Sequence, residues 1–175
     1  MHNAKKRHDM ISKLISGGQT GADRAALDVA IDLGIPHGGW LPKGRKTEAG
    51  RLPAKYQLNE LPTDSYPKRT EQNVIDSDGT LIVSHGPLTG GSDYTRQMAE
   101  KHGKPWMHID ASRTSIDAAV QLVRAWTNGG QIKVLNVAGP RDSKDPKIYG
   151  TTKKLLTVVT KMMSLGNEER QDLPG

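Results

Sequence analysis

The chain has 175 residues, 34% hydrophobic and 25% charged, enough to bury one core and close to the usual size of a single domain. It has no cysteine, which excludes disulfide frameworks, thiolate metal sites and cysteine nucleophiles and fits a reducing, cytoplasmic setting. A net charge of +6 suits either a polyanion partner or a site for one small anion, but aromatics are only 4%, with no Phe, so rings for stacking single-stranded nucleic acid are scarce.

Lys5, Lys6 and Arg7 are followed by no apolar run, and no stretch reaches the roughly 18 apolar residues of a membrane span. One domain over residues 10–166 is expected, with flexible termini at 1–9 and 167–175. Residues 13–16 are short and apolar and end in Gly17-Gly18. Ala25, Ala26, Val29, Ala30 and Leu33 then recur at helical spacing, and Gly34 and Pro36 mark the stop. This is a strand, loop, helix unit.

Residues 37–66 show little periodicity and read as a long loop, of the kind that is functional or disordered. A short helix over 69–75 leads through the turn sequence Asp76-Ser77-Asp78-Gly79 into a strand at 80–83. The loop at 85–93, a helix at 94–102 and a strand at 106–109 form the next unit. Ile116, Ala119, Val120, Val123 and Trp126 share a helical face, with Thr114 or Ser115 as N-cap and Gly129-Gly130 at the end. A buried-type strand at 132–137, a loop at 138–149 and a last helix ending near Gly166 complete the chain. Alternating strands and helices predict an α/β fold, a mostly parallel sheet covered by helices on both faces, with ligands at the carboxyl ends of its strands.

Three glycine-bearing loops fall at such ends. Ser16-Gly17-Gly18-Gln19-Thr20-Gly21-Ala22-Asp23 follows a strand and opens a helix, where free N–H groups and the helix dipole favour an anion. A tight turn capped by Thr20, with Asp23 complementing the dipole, explains the same residues equally well. Ser84-His85-Gly86-Pro87-Leu88-Thr89-Gly90-Gly91-Ser92-Asp93 repeats the arrangement. Asn136-Val137-Ala138-Gly139-Pro140-Arg141 sets a guanidinium beside a glycine, suited to clamping phosphate. Lys43 and Arg45 lie in the long loop, either as cations approaching the same mouth or as solvated charge.

The candidate ligand-binding residues are therefore Gly17, Gly18, Gln19, Thr20, Gly21, Asp23, Lys43, Arg45, Asn73, His85, Thr89, Gly90, Gly91, Ser92, Gly139 and Arg141. The loops match neither GxGxxG nor GxxxxGK[ST], so NAD and Walker-type ATP sites gain no support. The histidines form no metal-ligand pattern, the carboxylates Asp23, Glu48, Asp76 and Asp78 set no acid/base pair, and no serine sits in a GxSxG elbow. No catalytic residue is assigned.

SGGQTGADRAALDVA, GGWLPKGR, GRLPAKY, YPKRTEQNVIDSDGTLIVS, GPLTGGSDYT and NVAGPR together resemble the putative molybdenum carrier family, a circularly permuted branch of the SLOG group of Rossmann-like proteins. The resemblance runs from about Ile15 to Tyr149. It implies a Rossmann-like sheet and a bound nucleotide or pterin phosphate, with molybdenum cofactor as the cargo the family is named for, and a dimer or larger assembly. It carries over Gly17, Gly18, Thr20, Gly21, Asp23, Lys43, Arg45, Asn73, Thr89, Gly90, Gly91 and Arg141.

One departure is Asp93 beside the second glycine pair, which repels an anion unless it points away or meets a hydroxyl. Alternatives remain. A nucleoside-phosphate hydrolase like the phosphoribohydrolases of the same group would need the glutamate of PGGxGTxxE, which is missing here. A single-stranded nucleic-acid module is weakly favoured by charge and disfavoured by the scarce aromatics.

Overall fold

The computed structural model describes residues 11–171, with side chains described through 165; of the termini expected to be flexible, 1–9 and 167–175, residues 1–9 and 172–175 lie outside the described residues, and 167–171 continue the last helix. Nine strands and five helices are seen among them. In chain order these are β1 (Lys13–Ile15), α1 (Ala22–Leu33), β2 (His37–Gly38), β3 (Trp40–Leu41), β4 (Lys46–Thr47), β5 (Gly50–Arg51) and β6 (Asn59–Glu60). Then follow α2 (Tyr66–Ile75), β7 (Gly79–Ser84), α3 (Gly90–Lys101), β8 (Trp106–Asp110), α4 (Ile116–Gly129), β9 (Val134–Ala138) and α5 (Ile148–Gln171).

The main sheet has the order β2-β1-β9-β7-β8, and all its pairings are parallel. Every residue of β7 is buried, as expected of a parallel strand covered on both faces. Leu14, Leu81, Val83, Leu135 and Val137 share one core with α1, α4 and α5. On the other side α2 packs on α3, where Val74, Met98 and Ala99 are buried. Truncating Leu81, which is fully buried, to Ala would cost about 2–5 kcal/mol. The result is a Rossmann-like α/β domain in three layers.

The ends of the helices follow local chemistry. Gly34 closes α1 in the left-handed conformation (φ 68°), its N–H bonded to the carbonyls of Ala30 and Ile31. Ser115 caps α4 by accepting from the Ala118 N–H at 3.2 Å.

Three helices start earlier than periodicity predicts. Helix α2 begins at Tyr66 rather than 69, because Ser65 accepts from the Lys68 N–H and Pro67 stands in the first turn, where its missing N–H costs nothing. Helix α3 begins at Gly90 rather than 94. Glycine is a poor helix former, so Gly90-Gly91 read as loop although they form the first turn. Helix α5 begins at Ile148 and continues through Gly166 to Gln171.

The stretch 37–66, expected as unstructured loop, is instead a chain of short pairings. β3 pairs with β6 in parallel and β4 with β5 as a hairpin. Leu41, Leu52 and Tyr56 cluster with Leu27 of α1, so this excursion has a small core of its own.

Candidate ligand-binding site

Strands β1, β9 and β7 are neighbours in the sheet, so their carboxyl ends bring the three glycine loops side by side. The chain leaves β9 toward α5, packed with α1 and α4, and leaves β7 toward α3, packed with α2. Helices diverging from adjacent parallel strands open a crevice where such folds bind ligands. A cleft of about 780 Å³ lies there.

Loop 16–21 belongs more to the protein than to the cleft. The Gly18 N–H donates to Ser16 Oγ (3.4 Å), the Gln19 N–H to Asp23 Oδ2 (3.2 Å) and the Thr20 N–H to Gln19 Oε1 (3.0 Å). These are the donors a phosphate cradle would need, and each has a protein acceptor. Gly17 makes room for Arg69, since a Cβ there would stand 1.6 Å from Arg69 Nη1. Gly21 (φ 79°) lets the Pro140 carbonyl approach to 2.3 Å from where a Cβ would be. No side chain caps α1, so Thr20 is not its cap.

Thr20 instead donates to Glu48 Oε1, and its hydroxyl oxygen accepts from the Asp142 N–H at 3.1 Å. Glu48 also accepts from the Ser143 N–H (3.1 Å) and Ser143 Oγ (2.5 Å), with Arg141 Nε at 3.9 Å. Desolvation raises the Glu48 pKa, but hydrogen bonds from Ser143 and Thr20 outweigh it and hold the carboxyl below its ordinary value. This carboxylate ties the β4–β5 hairpin to the first and third loops.

Gly17, Gln19, Asp23, Asn73, His85, Thr89, Gly90, Gly91, Ser92, Gly139 and Arg141 line the cleft; Gly18, Thr20, Gly21, Lys43 and Arg45 do not. Lys43 is exposed elsewhere. Arg45 donates to the carbonyls of Leu52, Pro53 and Tyr56, so its guanidinium folds its own excursion. Asn73 reaches the cleft wall but spends its amide on Trp40, accepting from the backbone N–H at 2.8 Å and donating to the carbonyl at 3.0 Å.

The cations at the cleft are Arg69, Arg141, Lys144 and Lys147. Sequence reasoning missed Arg69, Lys144 and Lys147. Arg69 could have been found from helical phase, because Tyr66, Arg69 and Asn73 recur at three and four residues and share a face of α2. Lys144 and Lys147 sit in DSKDPK, which carries no pattern of its own.

Arg69 Nη1 donates to Asp23 Oδ2 at 2.8 Å. Burial pushes the Asp23 carboxyl up from its ordinary value, opposed by the Arg69 charge and the Gln19 N–H. Lys144 Nζ stands 3.1 Å from where a Gly90 Cβ would be, over the first turn of α3. Thr89, the N-cap of that helix, makes no side-chain cap bond, and among the described residues the Gly90 and Gly91 N–H groups have no protein acceptor. Free N–H groups, a helix dipole and an ammonium thus converge on one wall. Asp93 points away from it, accepting from Arg96 Nε (2.8 Å) and Gln97 Nε2 (2.9 Å), bonds that hold its pKa below the ordinary value.

Two histidines stand near the second loop. The Ser84 hydroxyl donates to the Gly86 carbonyl (2.7 Å), so His108 Nε2, also at 2.7 Å, carries the proton between them. Burial lowers the His108 pKa, opposed by the nearby Asp110 charge. His85 Nδ1 donates to Asp145 Oδ2 at 2.6 Å, and its Nε2 lies 3.2 Å from Thr151 Oγ1.

Fold and cleft define an open, parallel α/β protein with a crevice at the carboxyl edge of its sheet. Residues 14–160 match the sequence profile of the Circularly permutated YpsA SLOG family, and the chain belongs to that family. It is similar to a solved structure, the crystal structure of a putative molybdenum carrier protein from Syntrophus aciditrophicus SB at 1.45 Å resolution. The two are 60% identical with a TM-score of 0.85, over 86% of this chain and 96% of that one. No curated protein matches the chain. Among the described residues no helix is long and apolar enough to cross a membrane.

Proposed function

We propose that this protein binds a phosphate-bearing small molecule, a nucleotide or a molybdopterin-type compound, in the cleft between β9 and β7. The observation that carries the reading is Lys144 lying over Gly90 at the uncapped start of α3, with Arg69, Arg141 and Lys147 on the surrounding walls. A volume of about 780 Å³ suits one heterocycle with its sugar and phosphate, within the roughly 300–1,000 Å³ usual for small-molecule sites. Tyr66, Tyr94 and Pro87 on the same walls offer apolar surface for a ring. The name of the similar structure makes a carrier role for molybdenum cofactor the specific form of this reading.

The phosphoribohydrolase alternative gains nothing from Asp93, which is turned toward Arg96 on its own helix. Native mass spectrometry of freshly purified protein, beside its denatured mass, tests the proposal and counts subunits. A retained mass matching a nucleotide or pterin phosphate, lost in Lys144→Ala, is expected. A chain that stays empty when offered nucleoside monophosphates and molybdopterin would contradict it.

A further inference from the structure

Gln19 lines the cleft and is only 7% exposed, yet half of its amide goes unused by the protein. Its Oε1 accepts from the Thr20 N–H at 3.0 Å and from the Glu48 N–H at 2.9 Å. Two backbone donors meeting one atom identify it as the oxygen, because an NH2 group offers them no lone pair, and they hold the amide in one orientation. Nε2, with its two protons, has no protein acceptor among the described residues. Buried polar groups are normally matched, so a donor left over on a cleft wall is one that a ligand can match.

Asp23 supplies the opposite function beside it. This carboxylate is 5% exposed and also lines the cleft. Its Oδ2 takes the Gln19 N–H at 3.2 Å and Arg69 Nη1 at 2.8 Å, while Oδ1 has no protein donor among the described residues. A held donor next to a free acceptor complements a ring edge that presents an acceptor and a donor side by side. A lactam edge, C=O next to N–H, does so; an amino-substituted edge, NH2 next to a bare ring nitrogen, has the two reversed. An aromatic surface stands close by, since the Tyr66 ring lies 5.5 Å from the Arg69 guanidinium carbon. Lys144 and the start of α3 lie after β7, and β9 separates β7 from β1, so the two polar ends of the cleft are two strand spacings apart, about 10 Å. A ring joined to a phosphate through a sugar or side chain covers such a span.

We infer that Gln19 and Asp23 read the lactam edge of the ligand's ring, so that the cleft selects an oxo-heterocycle, guanine or a pterin, over an amino one such as adenine. The inference rests on the reading of the cleft as a phosphate site and names the ring that accompanies the phosphate. Gln19 Nε2 donates to the ring carbonyl, and the neighbouring ring N–H donates to Asp23 Oδ1. Guanine and pterin carry the same lactam, so the two residues serve either. Gln19 is a specificity-determining residue, and no bond is made or broken.

The test is calorimetry of the full-length protein at one ionic strength with guanosine, inosine, adenosine and 1-methylguanosine 5′-monophosphates, neopterin monophosphate and inorganic phosphate. The guanosine and inosine nucleotides should bind alike, because both keep the lactam. The adenosine nucleotide sets donor against donor and lone pair against carboxylate, and the 1-methyl nucleotide blocks the N–H, so each should bind about tenfold or more weakly. Whichever of guanosine monophosphate and neopterin monophosphate binds more tightly identifies the source of the lactam. Gln19→Glu keeps an oxygen for the Thr20 and Glu48 N–H groups and exchanges the donor for an acceptor. Its added charge acts on every nucleotide, so the ratio of guanosine to adenosine affinity is read, and it should fall by about tenfold or more in a protein that melts with the parent. If the variant does not fold, the ligand series on the parent decides alone. Equal affinity of the parent for guanosine and adenosine nucleotides, or an unchanged ratio in folded Gln19→Glu, overturns the ring reading and leaves the phosphate site standing. Failure to bind any of the six probes removes both.

Discussion

Arg69 of α2 donates to Asp23 of α1 at 2.8 Å, with the two side chains 12% and 7% exposed, and Gly17 leaves the space through which the guanidinium passes. The pair joins the helix layers on opposite sides of the sheet across its carboxyl edge. Removing one partner of a buried ion pair leaves a charge with neither water nor counter-ion. Arg69→Met should therefore destabilise the fold by about 3–5 kcal/mol in urea unfolding, and Arg69→Met with Asp23→Leu by less. Equal losses in the single and double variants would show that the pairing is not what matters.

Two glycines at the cleft should respond oppositely to a methyl group. A Cβ on Gly139 would stand 2.3 Å from the Val83 carbonyl oxygen and 2.7 Å from Ala22 Cβ, so Gly139→Ala forces β9, β7 and α1 apart. We expect a loss of about 1–3 kcal/mol, the scale of overpacking in a well-filled core. At Gly91 nothing lies within 4 Å, and Gly91→Ala should be neutral or gain up to about 1 kcal/mol from helix propensity. Thermal melting of the two variants decides the matter.

Asp110, at the end of β8, accepts from the Ser112 hydroxyl (2.6 Å) and the Gly86 N–H (2.8 Å), and these bonds hold its pKa down to about 2. The folded value lies below the unfolded one. The stabilisation is thus present above the ordinary aspartate range near 4 and is lost as pH falls through about 2. A carbon-detected NMR titration should place the Asp110 midpoint near 2, and Asp110→Asn should reduce the fall in stability between pH 5 and pH 2. A midpoint near 4 would contradict the bonding pattern.

Asp93 is held by Arg96 and Gln97 on its own helix. Asp93→Asn should change phosphate affinity less than twofold by calorimetry. A carboxylate facing the ligand would show itself by marked tightening when neutralised.

The sheet, the helices covering both faces and the strand-end loops were legible because burial on two sides writes long apolar runs into parallel strands, and α1 and α4 carry clear helical spacing with capping residues. The first turn of α3 was hidden because Gly90 and Gly91 are poor helix formers held in place by tertiary structure. Excursion 37–61 was illegible because strands of two residues are too short to show alternation.

The site was legible in its glycines and less so in its charges. Glycine loops announce close approach without saying what approaches, and at Gly17 it is Arg69 of the protein itself. Lys43 and Arg45 stood out because they flank a glycine in a motif. Position in the fold assigns Arg45 to backbone carbonyls and leaves Lys43 in solvent, while Lys144, from an unpatterned segment, reaches the start of α3. The Glu48 clasp joins residues 95 apart in sequence, which no local pattern can reveal.

The most direct test of the proposed anion site is calorimetric titration of guanosine 5′-monophosphate into the parent, Lys144→Ala and Lys43→Ala proteins at one fixed ionic strength. Both variants lose one positive charge, so bulk electrostatics changes equally. Lys144→Ala should weaken binding about tenfold or more, the value of a charge-assisted hydrogen bond, while Lys43→Ala leaves it unchanged. Equal effects of the two substitutions, or none from Lys144→Ala, would contradict a phosphate site at the start of α3.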